Sequence, residues 1–124
     1  MDVPRLSPQE LNAFLRQGEP VTLIDARKQE AWAHSDRQLP GALRLEPEHV
    51  ADALGAIPQR KAIVVYCSCP DEATSAQVAE NLRQRNFSNV FALRGGFDGW
   101  VRAGLPTEPR SEHRLSGEPS WAPM

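Results

Sequence analysis

The stretch AIVVYCSCPDEATS, Ala62 to Ser75, decides how this chain is read. Its first part, Ala62 to Tyr66, is the most apolar run in the sequence and does not alternate with polar residues. A strand of that kind buries both faces, as at the centre of a parallel sheet. The part that follows holds both cysteines of the chain, Cys67 and Cys69, with one residue between them. Beyond it, Ser75, Val78, Ala79 and Leu82 fall at helical spacing and predict an amphipathic helix running to about Arg85. A strand, a cysteine loop and a helix thus follow one another directly.

Outward from this unit, the pattern repeats. Ser7-Pro8-Gln9-Glu10 is a capping box with proline at the first helical position. Leu11, Phe14 and Leu15 then share a helix face, and Gly18 ends the run. Val21 to Asp25 reads as a short strand with Asp25 at its carboxyl end, and Ala26 to Ser35 as helix-favouring, with Trp32 buried. Pro40-Gly41 mark a turn, Ala42 to Leu45 a short strand, and Glu46 to Leu54 a helix with Val50 and Leu54 inward. Asn89 to Leu93 is a further strand, broken by Gly95-Gly96 before a short helix that Gly104 closes. Alternating strands and helices imply an α/β fold, with parallel strands joined by right-handed crossovers. Ligands in such sheets bind beyond the carboxyl ends of the strands. Asp25, Cys67 and Arg94 all lie at or just past such ends.

Size and composition narrow the function. A chain of 124 residues, 40% hydrophobic and 24% charged, is expected to form one domain with its own core. The domain is expected over residues 1–108, because from Pro106 onward the sequence turns rich in Pro, Ser, Gly and charge. Residues 109–124, which include Trp121, read as a disordered tail. With a net charge of −2 and no basic block, nucleic acid is not an expected partner. No apolar stretch approaches the roughly 20 residues a membrane helix requires. Met1 to Glu10 carries no apolar signal region, so a cytoplasmic protein is expected.

Two cysteines this close make a poor staple, because their loop would remove almost no unfolded-state entropy. They read better as reactive or metal-binding thiols in a reducing compartment. A structural zinc site requires four ligands, and His34, His49 and His113 show no ligand spacing. No metal and no cofactor is expected. A thiol reacts as its thiolate, which a helix N-terminus favours, and the amides of a tight loop form an anion-binding nest. The competing reading is a buried, inert cysteine at a strand end.

The pieces LIDAR (Leu23 to Arg27), LPGA (Leu39 to Ala42), IVVYC (Ile63 to Cys67) and LRGGFDGW (Leu93 to Trp100), in this order, resemble a single-domain rhodanese. The likeness extends over most of Ser7 to Glu108, and the loop is similar to that of rhodanese domains with a YCxCPxEAT sequence. The resemblance implies a three-layer fold with a mostly parallel central sheet flanked by helices. It also implies a sulfurtransferase that accepts sulfur from a donor such as thiosulfate as a cysteine persulfide. The sulfur then passes to cyanide or another thiol, and the protein is expected to be a monomer or weak dimer.

By the resemblance, Cys67 and Cys69 are the catalytic candidates, and Ser68, Pro70, Asp71, Glu72, Ala73 and Thr74 form the substrate-binding loop. Counting from Cys69 reproduces the family's spacing to Thr74. Counting from Cys67 requires two additional loop residues but matches the family's placement of the nucleophile directly after the strand. That placement, together with the amide lost at Pro70, favours Cys67. Cys69 is left as the alternative nucleophile or as a resolving thiol. The loop departs from the family in being acidic, and it has no Arg between Cys67 and Ser75. Asp71 and Glu72 are expected to repel an anionic donor. Asp25, Arg27 and Arg94 are supporting residues: the Asp25–Arg27 pair is usually architectural in the family, while Arg27 and Arg94 are the candidates to restore positive potential. The acidic loop also motivates a non-catalytic module for partner binding or redox sensing. A cysteine phosphatase or arsenate reductase ranks last, because Thr74 stands where a phosphoryl group requires an Arg clamp.

Overall fold

The computed structural model describes residues 3–58, 62–68 and 70–111. In chain order they form β1 (Arg5–Leu6), α1 (Pro8–Arg16), β2 (Val21–Asp25), α2 (Gln29–His34), β3 (Arg37–Gln38) and β4 (Leu43–Arg44). There follow α3 (Val50–Ala53), β5 (Ala62–Tyr66), α4 (Ala73–Gln84), β6 (Val90–Leu93), α5 (Gly96–Arg102) and β7 (Glu108–Pro109). Five strands make one parallel sheet in the order β1-β6-β5-β2-β4. β5 is its central strand, as its unbroken apolar run requires.

Alternate residues of β5 feed two separate cores. Ile63 and Val65 pack with Ile24, Val50, Ala53, Val78, Ala79 and Leu82, under α3 and α4. Val64 and Tyr66 pack with Leu11, Leu23, Leu93 and Trp100, under α1 and α5. The result is a helix–sheet–helix sandwich. The central strand is apolar at every position because each of its faces meets a helical layer.

The register places the chemistry. Asp25 pairs with Tyr66 and with Arg44, so β2, β4 and β5 end level on one edge of the sheet. Cys67 follows Tyr66 at that edge. The capping box forms as expected: Ser7 accepts from the Glu10 amide at 3.0 Å, and the Glu10 carboxylate accepts from the Ser7 amide at 2.8 Å. These bonds hold the Glu10 carboxyl below its ordinary value.

The structure differs from the expected boundaries where backbone groups have other partners. The helix after β2 begins only at Gln29, because the Ala26 amide donates to the Tyr66 carbonyl and the Arg27 amide to the Asp25 carboxylate. The segment from Glu46 to Leu54 is short 3-10 turns around α3 rather than one helix, though Val50 and Ala53 are buried and Leu54 packs beside them. The strand expected from Ala42 to Leu45 is only Leu43–Arg44. The strand at Arg5–Leu6 has no sequence signal, being two residues long.

The expected tail boundary requires correction. β7 pairs antiparallel with β3, and Arg110 and Ser111 also bond to the domain. Order there comes from partners distant in sequence, which composition does not register. Residues 112–124, including Trp121 and His113, lie outside the described residues.

Candidate active site

The site is built where β5 hands over to α4. Cys67 has no exposed surface. Its thiol donates to the Ser75 hydroxyl, Sγ to Oγ at 3.4 Å, and that hydroxyl donates to the Glu72 carbonyl at 3.2 Å. Ser75 lies in the first turn of α4, on its buried face. On the other side, the Cys67 carbonyl accepts from the Phe97 amide at 2.9 Å. The cysteine is therefore fixed between the start of α4 and the turn that opens α5.

Between Cys67 and α4 the loop makes a 3-10 turn at Pro70–Glu72, in which Asp71 (φ +54°) and Glu72 (φ +57°) are both left-handed. Glu72 then precedes helical Ala73. A left-handed residue followed by a right-handed one is the backbone pattern whose successive amides converge as a nest for an anion. The N-terminus of α4 adjoins it. Ser68, Asp71 and Ala73 are exposed, Glu72 and Thr74 half-buried. Cys69 lies outside the described residues.

The expected acidic repulsion is partly cancelled. Glu72 pairs with Arg5, Oε1 to Nε at 3.1 Å, and its other oxygen accepts from the Gly95 amide at 3.1 Å. Neither contact has a sequence signal, since Arg5 lies on a strand too short to recognise. Asp71 remains exposed.

Behind the loop, Asp25 and Arg27 form a buried two-pronged pair, with Nε to Oδ1 at 3.0 Å and Nη2 to Oδ2 at 2.7 Å. Arg27 also donates to the Arg37 carbonyl at 3.0 Å and lies against the Phe97 ring, 4.6 Å from its centroid. Arg44 stands 3.8 Å from Asp25 and donates to the Asp25 and Arg27 carbonyls. These bonds hold Asp25, Arg27 and Arg44 together, with all three side chains buried. Arg94 is exposed at the end of β6, beside the Gly95 turn. Trp100 is fully buried, and its indole donates to the Pro106 carbonyl at 2.7 Å.

The described residues include no helix long and apolar enough to cross a membrane. A groove of about 340 Å³ runs beside the loop, lined by Lys28, Glu48, Thr74, Gln77 and Asn81 among others. A second, mostly apolar hollow of about 360 Å³ lies at the opposite ends of the strands, by Val21, Ala62 and Asn89.

Comparison with known proteins agrees with this geometry. A thiosulfate sulfurtransferase of Actinobacillus pleuropneumoniae is 33% identical over 94 residues, 76% of this chain and 83% of the relative. A sulfurtransferase of Allochromatium vinosum is 32% identical over 104 residues, 84% of this chain and 94% of the relative. The crystal structure of the Anabaena Alr3790 protein superposes with a TM-score of 0.71 at 32% identity, covering 85% of this chain and 82% of that one. A thiosulfate sulfurtransferase from Pseudomonas aeruginosa matches with a TM-score of 0.77 at 26% identity over 92% of this chain, which spans only 21% of that longer one. The rhodanese-like domain family matches residues 7–103, so a parallel sheet with a cysteine at the end of its central strand belongs here to a member of that family.

Proposed function

We propose that the chain is a thiosulfate-type sulfurtransferase that carries sulfur as a persulfide on Cys67. The observation that carries this reading is the placement of the Cys67 thiol directly after the central strand and beneath the first turn of α4. Sulfurtransferase relatives of matching length support the substrate class. Counting from Cys67 gives the loop two additional residues, and the left-handed turn at Asp71 and Glu72 supports that reading.

The Cys67 thiolate attacks the outer sulfur of thiosulfate. A sulfur–sulfur bond to Cys67 forms, the bond to the sulfonate sulfur breaks, and sulfite leaves with the electron pair. The resulting persulfide anion is stabilised by the nest amides and the α4 N-terminus. Cyanide, or the thiolate of an acceptor, then attacks the terminal sulfur. It departs with that sulfur as thiocyanate or a new persulfide, and the Cys67 thiolate returns. Ser68, Pro70, Asp71, Glu72, Ala73 and Thr74 shape the loop, Asp25 and Arg27 brace it from behind, and Arg94 supplies exposed positive charge. Cys69 is the second thiol of the loop, able to take sulfur onward from Cys67. Both thiols stay reduced in a cytoplasmic setting.

The full burial of Cys67 also favours a second reading, a module that binds a partner or senses oxidants without turning over. One experiment separates the two. The protein is incubated with thiosulfate, weighed intact, and assayed for thiocyanate formation from cyanide. The enzyme reading expects one added sulfur and steady turnover, lost in Cys67→Ser and retained in Cys69→Ser. Loss in Cys69→Ser alone overturns the assignment to Cys67. No effect of either substitution overturns the enzyme.

A further inference from the structure

We propose that Glu72 is a positioning residue for the cysteine loop, acting through Arg5 and the Gly95 amide. The inference rests on the sulfur-transfer reading and adds to it a fastening that neither the family match nor the relatives assign.

Each oxygen of the Glu72 carboxylate has a partner on a different element. Oε1 accepts from Arg5 on β1 and Oε2 from the Gly95 amide between β6 and α5, each at 3.1 Å. Arg5 also donates to the Asp71 carbonyl at 3.4 Å. The ion pair is largely withdrawn from solvent, with side-chain exposures of 15% and 12% for Arg5 and Glu72. A charged pair so placed is worth more than one on an open surface, because water and salt screen it less.

The backbone of Glu72 explains what the carboxylate is for. Two successive non-glycine residues in the left-handed region are unfavourable unless surrounding contacts impose them. The carboxylate supplies such contacts at the residue where the left-handed turn meets α4. The carbonyl of Glu72 receives the Ser75 hydroxyl, which in turn receives the Cys67 thiol. The Gly95 turn that grips the carboxylate continues into Phe97, whose amide grips the Cys67 carbonyl. One side chain therefore ties together the two segments that enclose Cys67. Its charge is also cancelled by Arg5, which removes one repulsive term for a dianionic donor.

The test is steady-state kinetics with thiosulfate and cyanide, well below the melting temperature, on wild type, Glu72→Ala, Glu72→Gln and Arg5→Met. Carbamidomethylation of the Cys69→Ser background by neutral iodoacetamide reads access to Cys67. Glu72→Ala is expected to lose about tenfold or more in kcat/KM, as for misplaced reacting groups, while the Cys67 thiol is alkylated faster. Glu72→Gln keeps the shape and one acceptor, for Gly95, but turns its NH2 toward the Arg5 guanidinium, and is expected to fall between Glu72→Ala and wild type in kcat. Arg5→Met leaves the carboxylate without its Arg5 partner and is expected to raise KM for thiosulfate more than it lowers kcat. Glu72→Ala kinetics within twofold of wild type, with unchanged alkylation, overturn the inference. Failure of wild type to take up sulfur at all overturns the sulfur-transfer reading instead, and the alkylation rates still report on the fastening.

Discussion

Gly96 lies directly against the carbonyl of Cys67. A Cβ built on Gly96 would fall far inside contact distance of the Cys67 carbonyl oxygen, with the carbonyl carbon only 3.1 Å away. Gly96 is also left-handed, at φ +59°. This close approach lets the Phe97 amide reach the same carbonyl, so the Gly-Gly-Phe sequence is a clasp on the cysteine-bearing segment. Gly96→Ala is expected to cost about 3 kcal/mol or more, from overpacking added to left-handed strain. Gly41→Ala is the control, since Gly41 is equally left-handed but meets nothing within 4 Å. It should cost only about 1–2 kcal/mol. Urea unfolding of both variants checks the difference, and equal losses would show that the clasp carries no weight.

The Asp25–Arg27 pair is expected to matter for stability rather than for donor binding. Arg27→Met would leave the Asp25 carboxylate buried with only Arg44, 3.8 Å away, to offset its charge. Breaking a buried pair from one side costs about 3–5 kcal/mol. Arg27→Lys keeps the charge but not the planar fork that meets both carboxylate oxygens, and should fall between. Denaturant unfolding measures the loss. A change below about 1 kcal/mol, the range of surface pairs, would contradict the architectural role.

Tyr66 predicts how the fold responds to alkali. Burial raises its phenol pKa well above the ordinary 10.0, the Asp25 charge adds to the rise, and Arg27 partly opposes it. The folded protein thus binds the phenolic proton more tightly than the unfolded chain. This contribution to stability is whole below pH 10.0 and drains away as pH climbs from there toward the folded value. The limiting slope is about 1.4 kcal/mol per pH unit. Tyr66 is the single tyrosine, so phenolate absorbance reports on it alone. Phenolate should appear together with loss of near-ultraviolet dichroism; ionisation near pH 10 in a protein still folded would contradict the burial.

What the sequence made legible follows contact range. β2 and β5 were readable to the residue because β-rich or unbroken apolar runs report burial on both faces. The buried face of α4 was readable from the spacing of Ser75, Val78, Ala79 and Leu82. The Ser7–Glu10 box was readable because its partners are three positions apart. The Arg5 partner of Glu72 was not legible, because Arg5 stands 67 positions away on a two-residue strand. The clasp of Gly96 on Cys67 likewise joins segments distant in sequence. The tail after Pro106 looked disordered by composition, and its ordered part depends on residues some seventy positions earlier, Gln38 bonding to Glu108 across 70 and Ser111 to Gln38 across 73.

That ordered part is expected to stabilise the domain through one ring. The Trp32 ring on α2 meets two guanidinium groups, Arg44 at 4.9 Å and Arg110 at 3.9 Å from its centroid. Arg110 also donates to the Trp32 carbonyl at 2.7 Å, and its amide to the Asp36 carbonyl at 2.9 Å. Arg110→Ala removes the stacking and the side-chain bond but leaves the amide in place. The expected loss is about 1–3 kcal/mol, a desolvated cation–π contact plus one charge-assisted hydrogen bond. Trp32→Leu removes the ring but not the carbonyl. A double-mutant cycle on thermal unfolding should therefore give a coupling of about 0.5–2 kcal/mol between residues 32 and 110. Additive losses would mean that the guanidinium contributes nothing through the ring and acts only through its hydrogen bond to the Trp32 carbonyl.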